Sequence, residues 1–264
     1  MSNPLSSLYE GCRNPNVSEK FTFDVSGHLN LPTEGPHNQL GAKEQRWSPY
    51  SWHGGSVVGI AGEDFAVIAS DTRLGEHGAI YQRDHHRLHE ITPQTVMGNC
   101  GFHGDAIQLI KIVKLKCKMY EFDHKTPPSP CAIAQMVATN LYYRRFFPFY
   151  VYNLIAGLDE EGKGAVFSYD PVGCVERVQC ISEGTASSLL QPFLDNQIYG
   201  KNLGAPTGSA EFPPPALTKE RAIMVIKDAF ISAAERDTNT GDSILMKVVD
   251  HEGIHEKIFP LRRD

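Results

Sequence analysis

Residues 54–73 constrain this chain more than any other stretch: Gly-Gly-Ser-Val-Val-Gly-Ile-Ala-Gly-Glu-Asp-Phe-Ala-Val-Ile-Ala-Ser-Asp-Thr-Arg. Two apolar runs rich in β-branched residues, 57–61 and 65–69, flank the short turn Gly62-Glu63-Asp64. Such a pattern predicts a tight β-hairpin. A diglycine, Gly54-Gly55, stands at its entrance, and Asp71-Thr72-Arg73 stands at its exit.

The patterning outside this hairpin sets the rest of the architecture. Residues 1–50 are rich in Asn, Pro, Ser, Gly and Glu with no sustained period, which predicts a flexible leader, with one domain over 51–264. A short strand is expected at 95–100. A helix is expected over 105–120, with Ile107, Ile110, Val113, Cys117 and Tyr120 inward. A second helix over 129–147 carries Ile133, Met136, Val137, Asn140 and Leu141 on one face, and Pro148 is expected to stop it. Strands at 150–158 and 164–169 flank the hairpin turn 159–163, and a third strand at 174–181 follows the turn Asp170-Pro171-Val172-Gly173. A helix from about residue 186 should place Leu189, Leu190, Phe193 and Leu194 inward, with Pro192 kinking or limiting it. Residues 200–217, with Pro213-Pro214-Pro215, read as a surface insertion. Thr218 is the expected N-cap of a helix whose Ala222, Val225, Ile226, Ala229, Phe230 and Ala233 keep a clean period. Strands at 244–249 and 254–259 close the chain. This order predicts an α+β fold, a four-layer α-β-β-α sandwich with helices outside two stacked sheets.

Composition removes several function classes. A net charge of -6 argues against a general nucleic-acid binder. No apolar run reaches the ~18 residues of a membrane span, and residues 1–10 lack the pattern of a secretory signal. The six cysteines form no CxxC pair and match no zinc spacing, so they read as reduced, mostly buried cytosolic thiols. No cofactor and no metal are expected.

The words that fill this order resemble the proteasome beta family over roughly residues 45–264. The resemblance rests on Gly59-Ile60-Ala61-Gly62-Glu63-Asp64-Phe65-Ala66, Arg144-Arg145-Phe146-Phe147-Pro148, the run Gly157-Leu158-Asp159-Glu160-Glu161-Gly162-Lys163-Gly164-Ala165-Val166, Tyr169-Asp170-Pro171-Val172-Gly173, and Ser232-Ala233-Ala234-Glu235-Arg236-Asp237. Together they point to one non-catalytic member. The resemblance implies the N-terminal-nucleophile hydrolase fold and a place in the proteasome core. It also implies a heteromeric beta ring with an alpha ring beside it, assembly chaperones, and localisation to cytoplasm and nucleus.

Active members of that family expose a threonine whose hydroxyl attacks the peptide carbonyl while its own amine acts as base. Counting back without gaps from Asp71 puts Gly55 at that place, so no hydroxyl is available. Arg87 falls where the family has lysine, and a guanidinium does not share protons as an amine does. The family's serine words appear with Thr185 and Thr240, and Asp237 is retained. Catalytic residues are therefore none, and Gly55, Asp71, Arg87, Thr185, Asp237 and Thr240 are degenerate positions. The rival reading cuts after Gly55 and uses Ser56 as the nucleophile, which shifts the alignment by one residue. The resemblance also implies that Asp170, Cys174 and Glu176 line the substrate pocket of the neighbouring chymotrypsin-like subunit.

Other candidates are weaker. His85, His86 and His89 cluster, with His85 and His89 able to share a helix face, but no acidic partner has zincin spacing. Arg144-Arg145 before an aromatic run reads as a helix end rather than an RNA platform. Gly157-x-x-x-x-Gly162-Lys163-Gly164 lacks the Ser or Thr of a P-loop and sits in a hairpin.

Overall fold

The computed structural model describes residues 48–200 and 216–263, and two short strands, Thr22–Phe23 and Leu29–Asn30, that pair antiparallel. The leader and the insertion lie mostly outside the described residues. The chain divides into units 1–49 and 50–264.

Two five-stranded sheets form the second unit, and every pairing within them is antiparallel. The strands are β1 (Ser56–Ala61), β2 (Ala66–Asp71), β3 (Leu74–Glu76), β4 (Ala79–Gln82), β5 (Leu88–Thr92), β6 (Thr95–Gly101), β7 (Val151–Leu158), β8 (Gly164–Tyr169), β9 (Val175–Val178), β10 (Cys180–Gly184), β11 (Ser243–Asp250) and β12 (Gly253–Pro260). One sheet runs β10-β1-β2-β11-β12 and the other β9-β8-β7-β6-β5, while β3 and β4 pair apart. The helices are α1 (His103–His124), α2 (Pro130–Tyr143), α3 (Ser187–Gln197) and α4 (Lys219–Ala234).

Three apolar layers hold these elements. Val58, Ile60, Val67, Ala69, Ile244, Met246 and Val248 face α3 and α4. Met97, Ile155, Ala165 and Phe167 face α1 and α2. Val57, Ile68, Val96, Leu154, Val166, Leu245 and Val249 meet between the sheets. Both faces of β1, β2 and β11 are thus buried, which is why they read as continuous apolar runs rather than alternating ones. This is the expected four-layer sandwich. At one rim Lys247 of β11, nearly buried, reaches Glu90 of β5 at 2.5 Å and Glu256 of β12 at 3.0 Å.

The opening hairpin forms as read, with Gly62 N–H donating to Phe65 O at 2.8 Å. In α4 all six periodic residues are buried, and Thr218 Oγ1 accepts from Arg221 N at 3.3 Å as N-cap. Several expectations are corrected. In α1 the buried stripe is Ala106, Leu109, Ile110, Val113 and Cys117, whereas Ile107 and Tyr120 are exposed. In α2 Ala134 and Ala138 likewise join Ile133, Val137 and Leu141 in the core. That helix ends at Tyr143, well before Pro148, where Arg144 N turns back to Leu141 O. In α3 Leu190 and Leu194 are buried but Leu189 is exposed, and the helix passes through Pro192 to Gln197. The single strand expected at 174–181 is two, β9 and β10, which belong to different sheets with only Gln179 between them.

Candidate functional site

The diglycine enters β1 in a conformation that side chains resist. Gly54 and Gly55 have φ of 67° and 86°, in the left-handed region that glycine alone adopts freely. A β-carbon built on Gly55 would land on Cζ, Nε and Nη2 of Arg87. The guanidinium therefore fills the volume that a side chain at Gly55 would require. From the other side, Gly55 O accepts from Thr185 N at 3.1 Å, and Gly184, at φ 105°, leaves no room for a β-carbon against that carbonyl.

Arg87 is held by a carboxylate beneath it. Asp71 is fully buried at the end of β2. Its Oδ1 accepts from Ser56 N at 2.8 Å and its Oδ2 from Arg73 N at 3.2 Å. Arg87 Nε stands 3.5 Å from Oδ1, and Arg87 Nη2 donates to Arg73 O. Burial pushes the Asp71 carboxyl up to about 6, while Arg87 and the backbone donors pull it back. Arg73 itself pairs with Asp242, Nε to Oδ2 at 2.9 Å, and Arg83 Nη1 reaches Asp242 Oδ1 at 2.5 Å.

Asp237 organises the second half of the site. Its Oδ2 accepts from Thr185 Oγ1 and from Thr240 Oγ1, both at 2.6 Å, and its Oδ1 from Asn239 N at 3.1 Å. Thr240 Oγ1 lies 3.1 Å from Ser56 Oγ, which accepts from Ala186 N at 2.9 Å. The structure thus brings Gly55, Asp71, Arg87, Thr185, Asp237 and Thr240 together around Ser56. Ser56 is fully buried, its amide is engaged by Asp71 and its hydroxyl by two partners. The hydroxyls of Ser56, Thr185 and Thr240 and the Asp237 carboxylate are engaged with one another.

Asp170, Cys174 and Glu176 lie apart from this cluster, at the turn between β8 and β9. Asp170 Oδ1 accepts from Val172 N at 3.1 Å and from Cys174 N at 2.7 Å. Cys174 and Glu176 are exposed. None of the described cysteines forms a disulfide; Cys100, Cys117 and Cys180 are buried, Cys131 and Cys174 exposed, and Cys12 lies outside the described residues.

His85 and His89 do not share a helix face, because His89 belongs to β5. His85 instead meets His103 edge-on, with ring centroids 4.6 Å apart, and burial beside Arg87 lowers it to about 3. Burial likewise lowers His89 to about 4. Among the described residues one carboxylate–imidazole group, Asp250, Glu252 and His255, has ligand-like spacing, and Lys219 Nζ already sits 2.7 Å from Asp250. Sequence reasoning missed Asp242. Its left-handed φ of 70° is a backbone property that no apolar period reveals.

The family described as proteasome subunit matches residues 52–249. Proteasome subunit beta type-1 of Danio rerio is 50% identical over 228 residues, covering 86% of this chain and 94% of that protein. Proteasome subunit beta type-1 of Drosophila melanogaster is 46% identical over 224 residues, covering 85% and 94%. Proteasome subunit beta type-6 of Saccharomyces cerevisiae is 42% identical over 224 residues, covering 84% and 93%. With its four-layer sandwich and a family match over most of its length, the chain belongs to the proteasome subunit family.

Proposed function

We propose that this chain is a non-catalytic subunit of the beta ring of the proteasome core particle, a structural member of a protein-degrading assembly. One observation carries the reading: the Arg87 guanidinium occupies the space where a side chain on Gly55 would have to stand. A nucleophile, its free amine and a proton-sharing lysine are the parts an N-terminal-nucleophile hydrolase needs. Gly55 supplies no hydroxyl, and Arg87 keeps its charge. The Ser56 alternative is disfavoured because that hydroxyl is fully buried and committed to Thr240 and Ala186.

Its partners are then the other beta subunits, including the chymotrypsin-like one, the alpha-ring subunits and assembly chaperones, in cytoplasm and nucleus. The test treats core particles from cytoplasmic and nuclear fractions with an electrophilic threonine-protease inhibitor, followed by mass spectrometry of each subunit. This chain is expected in both fractions without an adduct, while catalytic subunits are labelled. An adduct on this chain would overturn the reading.

We further propose that Asp170, with Cys174 and Glu176, borders the substrate pocket of the chymotrypsin-like neighbour. Both hydrogen bonds described at the Asp170 carboxylate fall on Oδ1, so Oδ2 is left for an outside donor. Asp170→Ala is expected to change the side-chain preference of chymotrypsin-like cleavage in assembled particles several-fold, on the scale of one charge-assisted hydrogen bond. Unchanged kcat/KM ratios across a peptide series would refute it.

A further inference from the structure

Beside the silent centre lies a second concavity that the scaffold reading does not use. A cavity of about 280 Å³ is bounded by Trp52, Tyr150, Tyr152, Glu183, Gly184 and Ser187. Trp52 stands steeply against both tyrosines, at 67° and 5.5 Å to Tyr150 and at 75° and 5.9 Å to Tyr152. Tyr150 continues outward to Tyr50, 5.3 Å away, and Tyr50 to the exposed Phe147 at 5.7 Å. A line of aromatic rings therefore leads from the surface to a carboxylate.

Glu183 is the charged member. It is half-buried, and its Oε1 accepts from Ser168 Oγ at 3.0 Å. Among the described ion pairs none includes Glu183. Burial raises its carboxyl, the Ser168 hydrogen bond lowers it and the charge of Asp170 raises it, and Tyr152 is raised by burial and by its titratable neighbours Tyr150 and Glu183. Asp170 is the charge that acts on Glu183, and no described cation lies within ion-pair distance of the Glu183 carboxylate. Rings with electron-rich faces around an unneutralised carboxylate are the chemistry that holds an ammonium or guanidinium group.

We propose that this pocket takes the basic side chain, lysine or arginine, of an unfolded polypeptide passing the ring. The occupant is assigned to passing chain because Gly184, part of the pocket wall, also packs on the carbonyl of Gly55. The pocket thus opens beside the place where a hydrolase of this fold would engage its substrate. The chain would act there as a weak, reversible holdfast, recognising charge without cutting. The assignment rests on the reading of the chain as a beta-ring subunit.

Crystals of assembled core particles test it when soaked with N-acetyl-lysine methylamide or its uncharged isostere N-acetyl-norleucine methylamide. Without a soak the pocket should be open and this chain should be seen in the beta ring. The lysine probe should place its ammonium between the three rings and within hydrogen-bond reach of Glu183, and the norleucine probe should leave no density. Glu183→Gln keeps the size and an acceptor for Ser168, and by calorimetry should weaken the lysine probe about tenfold. Four results would overturn the proposal: no lysine density at saturation, equal binding of norleucine, unchanged affinity in Glu183→Gln, or a pocket already filled by a neighbouring subunit's basic side chain. Absence of the chain from the ring would instead refute the underlying reading, and the unsoaked map reports that separately.

Discussion

Arg87→Leu is expected to cost the fold about 3–5 kcal/mol near neutral pH, the scale for leaving a buried charge without its partner. Leucine removes the cation beside Asp71 and leaves that carboxylate fully buried. The pH dependence follows from direction. In the native protein burial already holds the Asp71 carboxyl at about 6, above its unfolded value, even with Arg87 opposing. Removing Arg87 raises it further. A carboxyl raised on folding contributes its full stability below the unfolded pKa, and that contribution is lost as pH rises through the folded value. The deficit of Arg87→Leu should therefore be greatest above the variant's raised value and shrink as pH falls toward about 6, below which the carboxyl is protonated in both folded proteins. Urea unfolding of the full chain at several pH values measures this. Asp71→Asn in the same background retains an acceptor for Ser56 N and should recover most of the loss at neutral pH. A deficit that is flat with pH, or no recovery in the double variant, would contradict the account.

Gly55→Thr is the second large effect, and it is a loss rather than a gain. Placing the missing hydroxyl back by one substitution should produce no peptidase and a weaker fold. The new β-carbon collides with the Arg87 guanidinium, and the backbone at φ 86° is poor for a β-branched residue. Overpacking and backbone strain each cost about 1–3 kcal/mol. The penalty should fall when Arg87→Lys is added, because a single ammonium on a flexible stem can withdraw where a planar fork cannot. Thermal melts of both variants, with a fluorogenic peptide assay, decide it. A Gly55→Thr protein as stable as the parent would show that Arg87 yields freely, and measurable cleavage would show that the remaining groups still form a working site.

Much of this was legible from the residues, for physical reasons that differ by region. The β1–β2 hairpin was plain because its two runs are apolar and rich in β-branched residues, and α4 because its apolar residues keep one unbroken helical period. The contact faces of α1 and α2 were misjudged because large apolar residues also stand on their outer faces, Ile107, Leu115 and Tyr120 in α1 and Tyr142 in α2, so the period does not single out the buried side. The short strands β3, β4 and β5 were not seen at all. All four residues of β4 are exposed, so no apolar alternation marks that strand. Residues 174–181 looked like one strand because a change of sheet leaves no trace in hydropathy. At the candidate site, glycine at position 55 could be read from spacing, but the guanidinium filling its side-chain volume could not. Contact between Gly55 and Arg87 spans 32 positions of chain and exists only once the sheets are formed. The Glu183 pocket was hidden for the same reason, since its walls come from three separate stretches.

The passage through Gln179 has a mechanical consequence. Along that rim the edge strands of the two sheets are successive segments of one backbone, so the layers are sewn together and a pull there loads both at once. The opposite rim has no such seam at Lys247, where a side chain clasps carboxylates from both sheets. If the sheets part, the margin fastened by charge is expected to yield before the one fastened by backbone.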